Sequence, residues 1–142
     1  MKTFEFTVDK DGLLRSRGIH DATMQAFRYT EHEHFEMCLR GTDEQSRWFS
    51  LNKISQLGLE NVVNGLIVSD IYCWQLSDPA VTLANTSDAW RVLFGGNCRE
   101  DDLPQAVNKL KKRYSNEQLI LVDSSYGGMV AAICKELKIS GV

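Results

Sequence analysis

Between Leu66 and Leu76 the chain reads LIVSDIYCWQL. Taken with a period of two, Leu66, Val68, Tyr72, Trp74 and Leu76 fall on one side and Ile67, Ile71 and Cys73 on the other. A strand that is apolar on both sides needs cover on both, as strands inside a sheet have. The sequence therefore predicts a middle strand here, with the remaining segments packed around it.

The segments before it alternate in the same way. Phe4, Phe6 and Val8 oppose Thr3, Glu5 and Thr7 in an edge-type strand, and Asp9 to Gly12 is a turn. Leu13 to Ile19 reads as loop or weak strand. Strands follow from Thr23, with Phe27 and Tyr29, and again at Phe35, Met37 and Leu39, separated by a polar corner at Thr30 to Glu33. Gly41 to Gln45 (GTDEQ) has strong turn chemistry, Arg47 to Leu51 returns as a strand, and consecutive hairpins give antiparallel neighbours. Ile54, Leu57 and Leu59 read as an apolar link, and Asn64-Gly65 as a tight turn.

Beyond Ser77 to Pro79 the pattern changes. Trp90 to Phe94 (WRVLF) reads as a short strand closed by Gly95-Gly96. Leu103, Ala106, Val107, Leu110 and Tyr114 recur at helical spacing behind Asp101-Asp102 and Pro104, with Lys109, Lys111, Lys112 and Arg113 suited to the negative end of the helix dipole. Leu119 to Val122 (LILV) reads as a buried strand. Met129, Val130, Ile133, Cys134 and Leu137 read as the stripe of a second helix. The expected fold class is α+β: an antiparallel sheet of about six strands with two C-terminal helices on one face or end, in a single domain over residues 1–142.

No pattern marks a catalytic centre, and neither a cofactor nor a metal site is expected. Cys38, Cys73, Cys98 and Cys134 form no C-x-x-C pair and read as buried thiols. His32 and His34 sit in a corner without a third ligand at suitable spacing. The most enzyme-like stretch is VDSSYGG, Val122 to Gly128. If a helix follows it, Ser124, Ser125, Gly127 and Gly128 offer a weak anion site, and a small hydrolase or phosphate-binding enzyme is the competing reading. No apolar run approaches the roughly 20 residues of a membrane span, and MKTFEFTVDK has no secretory core, so the expectation is a cytoplasmic protein.

Charge is unevenly placed. Residues 1–102 carry 10 Lys and Arg against 16 Asp and Glu, and residues 103–142 carry 6 against 3. An acidic body disfavours direct contact with nucleic-acid phosphates and suits a basic protein surface. The acidic residues Glu31, Glu33, Glu36, Asp43 and Glu44 fall on hairpin segments, and Trp48, Asp70, Tyr72 and Trp74 combine aromatic surface with a carboxylate in the manner of an interface anchor. These nine are the candidate partner-binding residues. The two apolar sides of Leu66 to Leu76 raise a homodimer as a further expectation.

His20-Asp21-Ala22, the alternation of Phe35, Met37 and Leu39, then Phe49, Leu51, Ile54, Leu57 and Leu59, and finally Asn64-Gly65 with Ile67 to Ile71 together resemble small bacterial immunity proteins of polymorphic toxin and contact-dependent inhibition systems. The similarity spans residues 20–76. It implies a non-enzymatic cytoplasmic antitoxin that binds and neutralises one cognate toxin, such as a nuclease.

Overall fold

The computed structural model describes residues 2–30, 33–63 and 65–142. Its eight strands are β1 (Thr7–Val8), β2 (Leu14–Arg15), β3 (Thr23–Thr30), β4 (His34–Arg40), β5 (Ser46–Glu60), β6 (Val68–Gln75), β7 (Gln118–Ser124) and β8 (Met129–Gly141). Helices α1 (Ser87–Phe94) and α2 (Leu103–Arg113) lie between β6 and β7. β1 and β2 form a small hairpin, and the other six strands form one antiparallel sheet in the order β3-β4-β5-β8-β7-β6. The α+β class and the antiparallel sheet are as the sequence predicts.

The sheet curls until its two ends meet. Thr23 of β3 bridges to Ile67, just ahead of β6. Around that bridge the Met24 N–H donates to the Leu66 carbonyl at 2.8 Å, the Val68 N–H to the Ala22 carbonyl at 2.8 Å, and the Asp21 N–H to the Val68 carbonyl at 2.8 Å. Successive strand residues point to opposite faces, so closure divides the apolar residues into an inner and an outer set. The inner set includes Met24, Phe35, Met37, Leu39, Phe49, Leu51, Val68, Ile71, Ile120, Val122, Ala132 and Ile139. The outer set, Trp74, Leu76, Leu119, Leu121, Ala131 and Ile133, is roofed by Ala89, Trp90 and Val92 of α1 and Leu103 and Val107 of α2.

Four expectations need correction. β6 is the terminal strand of the hydrogen-bonded order, and β5 with β8 holds the middle. Both faces of β6 are nonetheless covered, because Val68, Ile71 and Cys73 point into the curl while Trp74 points under the helices. The run Ile54 to Leu59 is no link but the second half of β5, which continues past the extra residue at Ser55 to pair with β8 as far as Glu60–Met129.

Trp90 to Phe94 is helical: Ala89 and Trp90 are fully buried, Asp88 lies in the first turn, and Gly95 closes the helix at φ 56. Met129 to Leu137 is strand, because small residues there bury on both sides, Ala132 and Cys134 inward and Ala131 and Ile133 outward. The two helices therefore lie within residues 87–113, with β7 and β8 after them, and not at the end of the chain.

One end of the curl is plugged by a charge. Arg47, on β5, is fully buried, and its two Nη2 contacts to the Asp43 carboxylate are 2.8 and 2.7 Å. The guanidinium also donates to the Arg17 carbonyl and lies 4.4 Å from the centre of the Phe4 ring. Glycine is required at Gly18 (φ 76) and Gly41, where a Cβ would fall 2.5 and 2.9 Å from Arg47 Nη1. Cys73 and Cys134 are buried free thiols, pushed up by burial to about 11 and about 12. Cys38 and Cys98 are also free.

Hydrogen bonding from Arg47 holds the Asp43 carboxyl below the ordinary aspartate range. The stability it confers is thus fully present above that range and fades as pH falls below about 4. Asp43→Asn should lower Tm near neutral pH by more than about 5 °C, and the gap from the wild type should shrink through acid; thermal melts by circular dichroism across pH check this. Trp90 is fully buried, with its indole N–H donating to Thr86 Oγ1 at 2.9 Å. Trp90→Ala should cost about 3–5 kcal/mol in urea unfolding, by loss of packing under α1.

Candidate functional site

The nine candidate residues do not form one surface. Glu31 lies outside the described residues. Glu33 and Glu44 are exposed at turns, with φ 75 and 64. Glu36 points outward from β4 but is only 7% exposed, in contact with Arg28 and with His34 at 3.1 Å. Burial works to raise its pKa, yet the hydrogen bonds from His34 and Arg28 outweigh this and hold it low. Trp48 is half-buried beneath the Arg28 guanidinium, 5.0 Å from the ring centre. Glu36 and Asp43 therefore already serve as internal counter-charges.

Tyr72 and Trp74 do come together, on β6, whereas Asp70 of the same strand lines a second cavity beside His20. The Tyr72 and Trp74 rings are stacked, with centres 5.1 Å apart and planes within 5°. The Trp74 indole N–H donates to the Asp11 carbonyl at 3.0 Å, which ties the Asp9–Gly12 turn across the strand. Gly12 sits directly over the indole at φ 87, and a Cβ there would fall 2.2 Å from Trp74 Nε1. The stack forms one wall of a cleft of about 310 Å³, and Asp11, Asp88 and Asp123 supply carboxylates around it. Asp88 comes from α1 and Asp123 from β7. Asp11, Asp88 and Asp123 were not predicted as site residues. Their separation in sequence hides a meeting that only the β6–β7 pairing and the placement of α1 create.

No lysine or arginine lines this cleft among the described residues. Its electrostatics show the excess of negative charge. Burial raises the Asp123 pKa, and Asp88 and Asp70 push it further the same way. Tyr72 is likewise raised, first by burial and then by Asp70, Asp123 and Asp9. Such a cleft suits a cation that can lie against a ring face while donating hydrogen bonds to carboxylates, which describes a guanidinium or ammonium group.

A wider cavity of about 590 Å³ opens between the N-terminal segment, β2 and the edge of β6 at Ser69 to Ile71. Its charged rim is balanced: Arg15 lies 3.6 Å from Asp9, Arg17 lies 3.8 Å from Asp43, and His20 lies 3.7 Å from both Asp21 and Asp70. The His20-Asp21-Ala22 corner acts here as a latch on the seam, with Ala22 fully buried.

The Ser124 to Gly128 turn joins β7 to β8, so no helix N-terminus faces it and the anion-site expectation loses its basis. Ser124 is buried, and its hydroxyl has no partner among the described residues. Ser125 is exposed, and its N–H donates to the Ile67 carbonyl at 3.1 Å. Gly127 takes φ 87 in the turn. Gly128 is a close-approach glycine, since a Cβ would meet Leu66 Cδ1 at 2.3 Å and the Asn61 carbonyl oxygen at 2.7 Å.

Among the described residues no group of three His, Cys, Asp or Glu is placed to hold a metal ion, and no helix is long and apolar enough to cross a membrane. Comparison with family models, with curated proteins and with solved structures finds no match. Gly12→Ala should displace the Asp9–Gly12 turn from Trp74, giving a red-shifted tryptophan emission and a lower Tm than the wild type; fluorescence spectra and thermal melts check this.

Proposed function

We propose that this chain is a non-catalytic binding protein of the immunity type, a cytoplasmic antitoxin that captures a basic patch on one cognate bacterial toxin such as a nuclease. The observation that carries the reading is the cleft on β6, where the stacked Tyr72–Trp74 pair is surrounded by Asp11, Asp88 and Asp123 without a basic side chain in its lining. Aromatic and arginine anchors dominate binding energy at protein interfaces, and a desolvated carboxylate discriminates strongly in favour of a cationic partner. Nuclease clefts carry positive charge to hold phosphate, so an acidic binder gains steering towards them and is repelled by nucleic acid itself. The resemblance of residues 20–76 to immunity proteins supports the same class.

Glu33 and Glu44, exposed on turns at opposite ends of β4, extend the acidic field without contributing to the cleft. They belong to the steering component, whose loss changes association rate and salt dependence more than the lifetime of the complex.

The test is calorimetry of the purified protein against the product of the adjacent toxin gene at low and high salt. The wild type should bind, and Asp88→Asn with Asp123→Asn should weaken binding by at least roughly tenfold, with a shallower salt dependence. An adjacent gene product that is no toxin, or one that the folded wild type does not bind, overturns the reading.

A further inference from the structure

Strand β3 leaves the seam at Met24. From there its ladder runs to β4 alone, from Ala26–Cys38 to Thr30–His34, and its outer edge has no strand partner among the described residues. Gln25 to Tyr29 are exposed throughout, with Phe27 at 43% and Tyr29 at 59%. An open edge offers backbone N–H and C=O groups whose natural partner is another strand, and folded proteins usually guard such an edge with charge, proline or a covering segment. Between Thr23 and Thr30 there is no proline and no acidic residue, and the one irregularity, at Gln25, sits at the seam end of the strand. The single charge, Arg28, is engaged by Glu36 and lies over Trp48.

We propose that this edge pairs with the same edge of a second copy, antiparallel about a two-fold axis near Phe27, so that the two sheets become continuous. Charge does not oppose a second copy here: residues 1–102 carry 10 Lys and Arg against 16 Asp and Glu, so two copies repel overall, whereas β3 brings no carboxylate of its own and an Arg28 already neutralised by Glu36. Two-fold pairing also places the exposed Phe27 and Tyr29 of each copy on one side of the joint, where aromatic cross-strand contacts form.

The contact is short. Gln25 to Thr30 spans about 20 Å of strand, so the joint falls below the size of permanent dimers and yields a reversible, concentration-dependent association. The residues involved are separate from the cleft on β6, and the inference stands independently of the proposed function.

Sedimentation velocity on the full chain over a wide concentration series provides the test, alongside backbone amide exchange at low and high concentration. The wild type should shift from monomer to dimer, with protection gained at Gln25 to Thr30. Phe27→Lys and Phe27→Glu, each shown to melt cooperatively, should each raise the dimer dissociation constant by roughly tenfold or more, and an equimolar mixture should recover association. A wild type that stays monomeric at the highest concentration reached overturns the proposal. So does a dimer whose added protection lies outside β3.

Discussion

The joint between Ala22–Met24 and Leu66–Val68 is the constraint on which the rest of the molecule depends. It turns an open six-stranded sheet into a curl with an interior. Without it, Phe35, Met37, Phe49 and Leu51 would share a face opposed by little beyond Phe4, Phe6, Leu14 and Ile19 of the N-terminal segment, since both helices lie on the other side. Those side chains cover one another only because the two ends of the sheet are joined by backbone hydrogen bonds. The buried Arg47 serves the same end by another route. It closes one mouth of the curl with a guanidinium that the Asp43 carboxylate, the Arg17 carbonyl and the Phe4 ring surround. Removing the partner of a buried charge is far more damaging than removing both, so the chain is committed to this plug as a unit.

The candidate site follows from that architecture. Curling brings the Asp9–Gly12 turn against β6, where the Leu13–Tyr72 bridge fixes it. The outer helical layer then places Asp88 across from Asp123 and the aromatic pair. The same layer shelters Trp74, which has only its polar edge directed to the Asp11 carbonyl. Cleft and core are therefore adjacent surfaces of one strand, and the chemistry on one depends on the burial of the other.

Much of the sheet was legible because alternation with a period of two leaves an unambiguous trace when one face is wet. β4 and the first half of β5 could be read in that way, and β7, buried on both faces, from an apolar run too short for a helix. Legibility failed where a longer run is buried on both faces. In β8, Val130, Ala131, Ala132, Ile133 and Cys134 are apolar without interruption and fit a helical stripe as well as a strand. In α1, the run WRVLF has strand-like composition, and what decides for a helix is non-local: a Trp90 that must fill the space under the roof, and a Thr86 one turn earlier to receive its N–H. For the site, Asp70, Tyr72 and Trp74 were visible as i, i+2, i+4 neighbours, whereas Asp11, Asp88 and Asp123 come from segments that no local spacing relates. Glu36 and Asp43 look like free acids in the sequence because the arginines that claim them become neighbours only through hairpin pairing and burial.

The chain order of the sheet has a consequence for folding. β8, the last in chain order of the described strands, is inserted between β5 and β7, and its 13 residues form the longest ladder with β5. Until β8 pairs, β3-β4-β5 and β6-β7 have only the seam to join them, and β5 and β7 each present an unpaired edge. Insertion of β8 closes long loops between β5 and the end of the sheet, a slow step by the usual relation between topology and rate. During that interval the exposed edges are open to holdase chaperones.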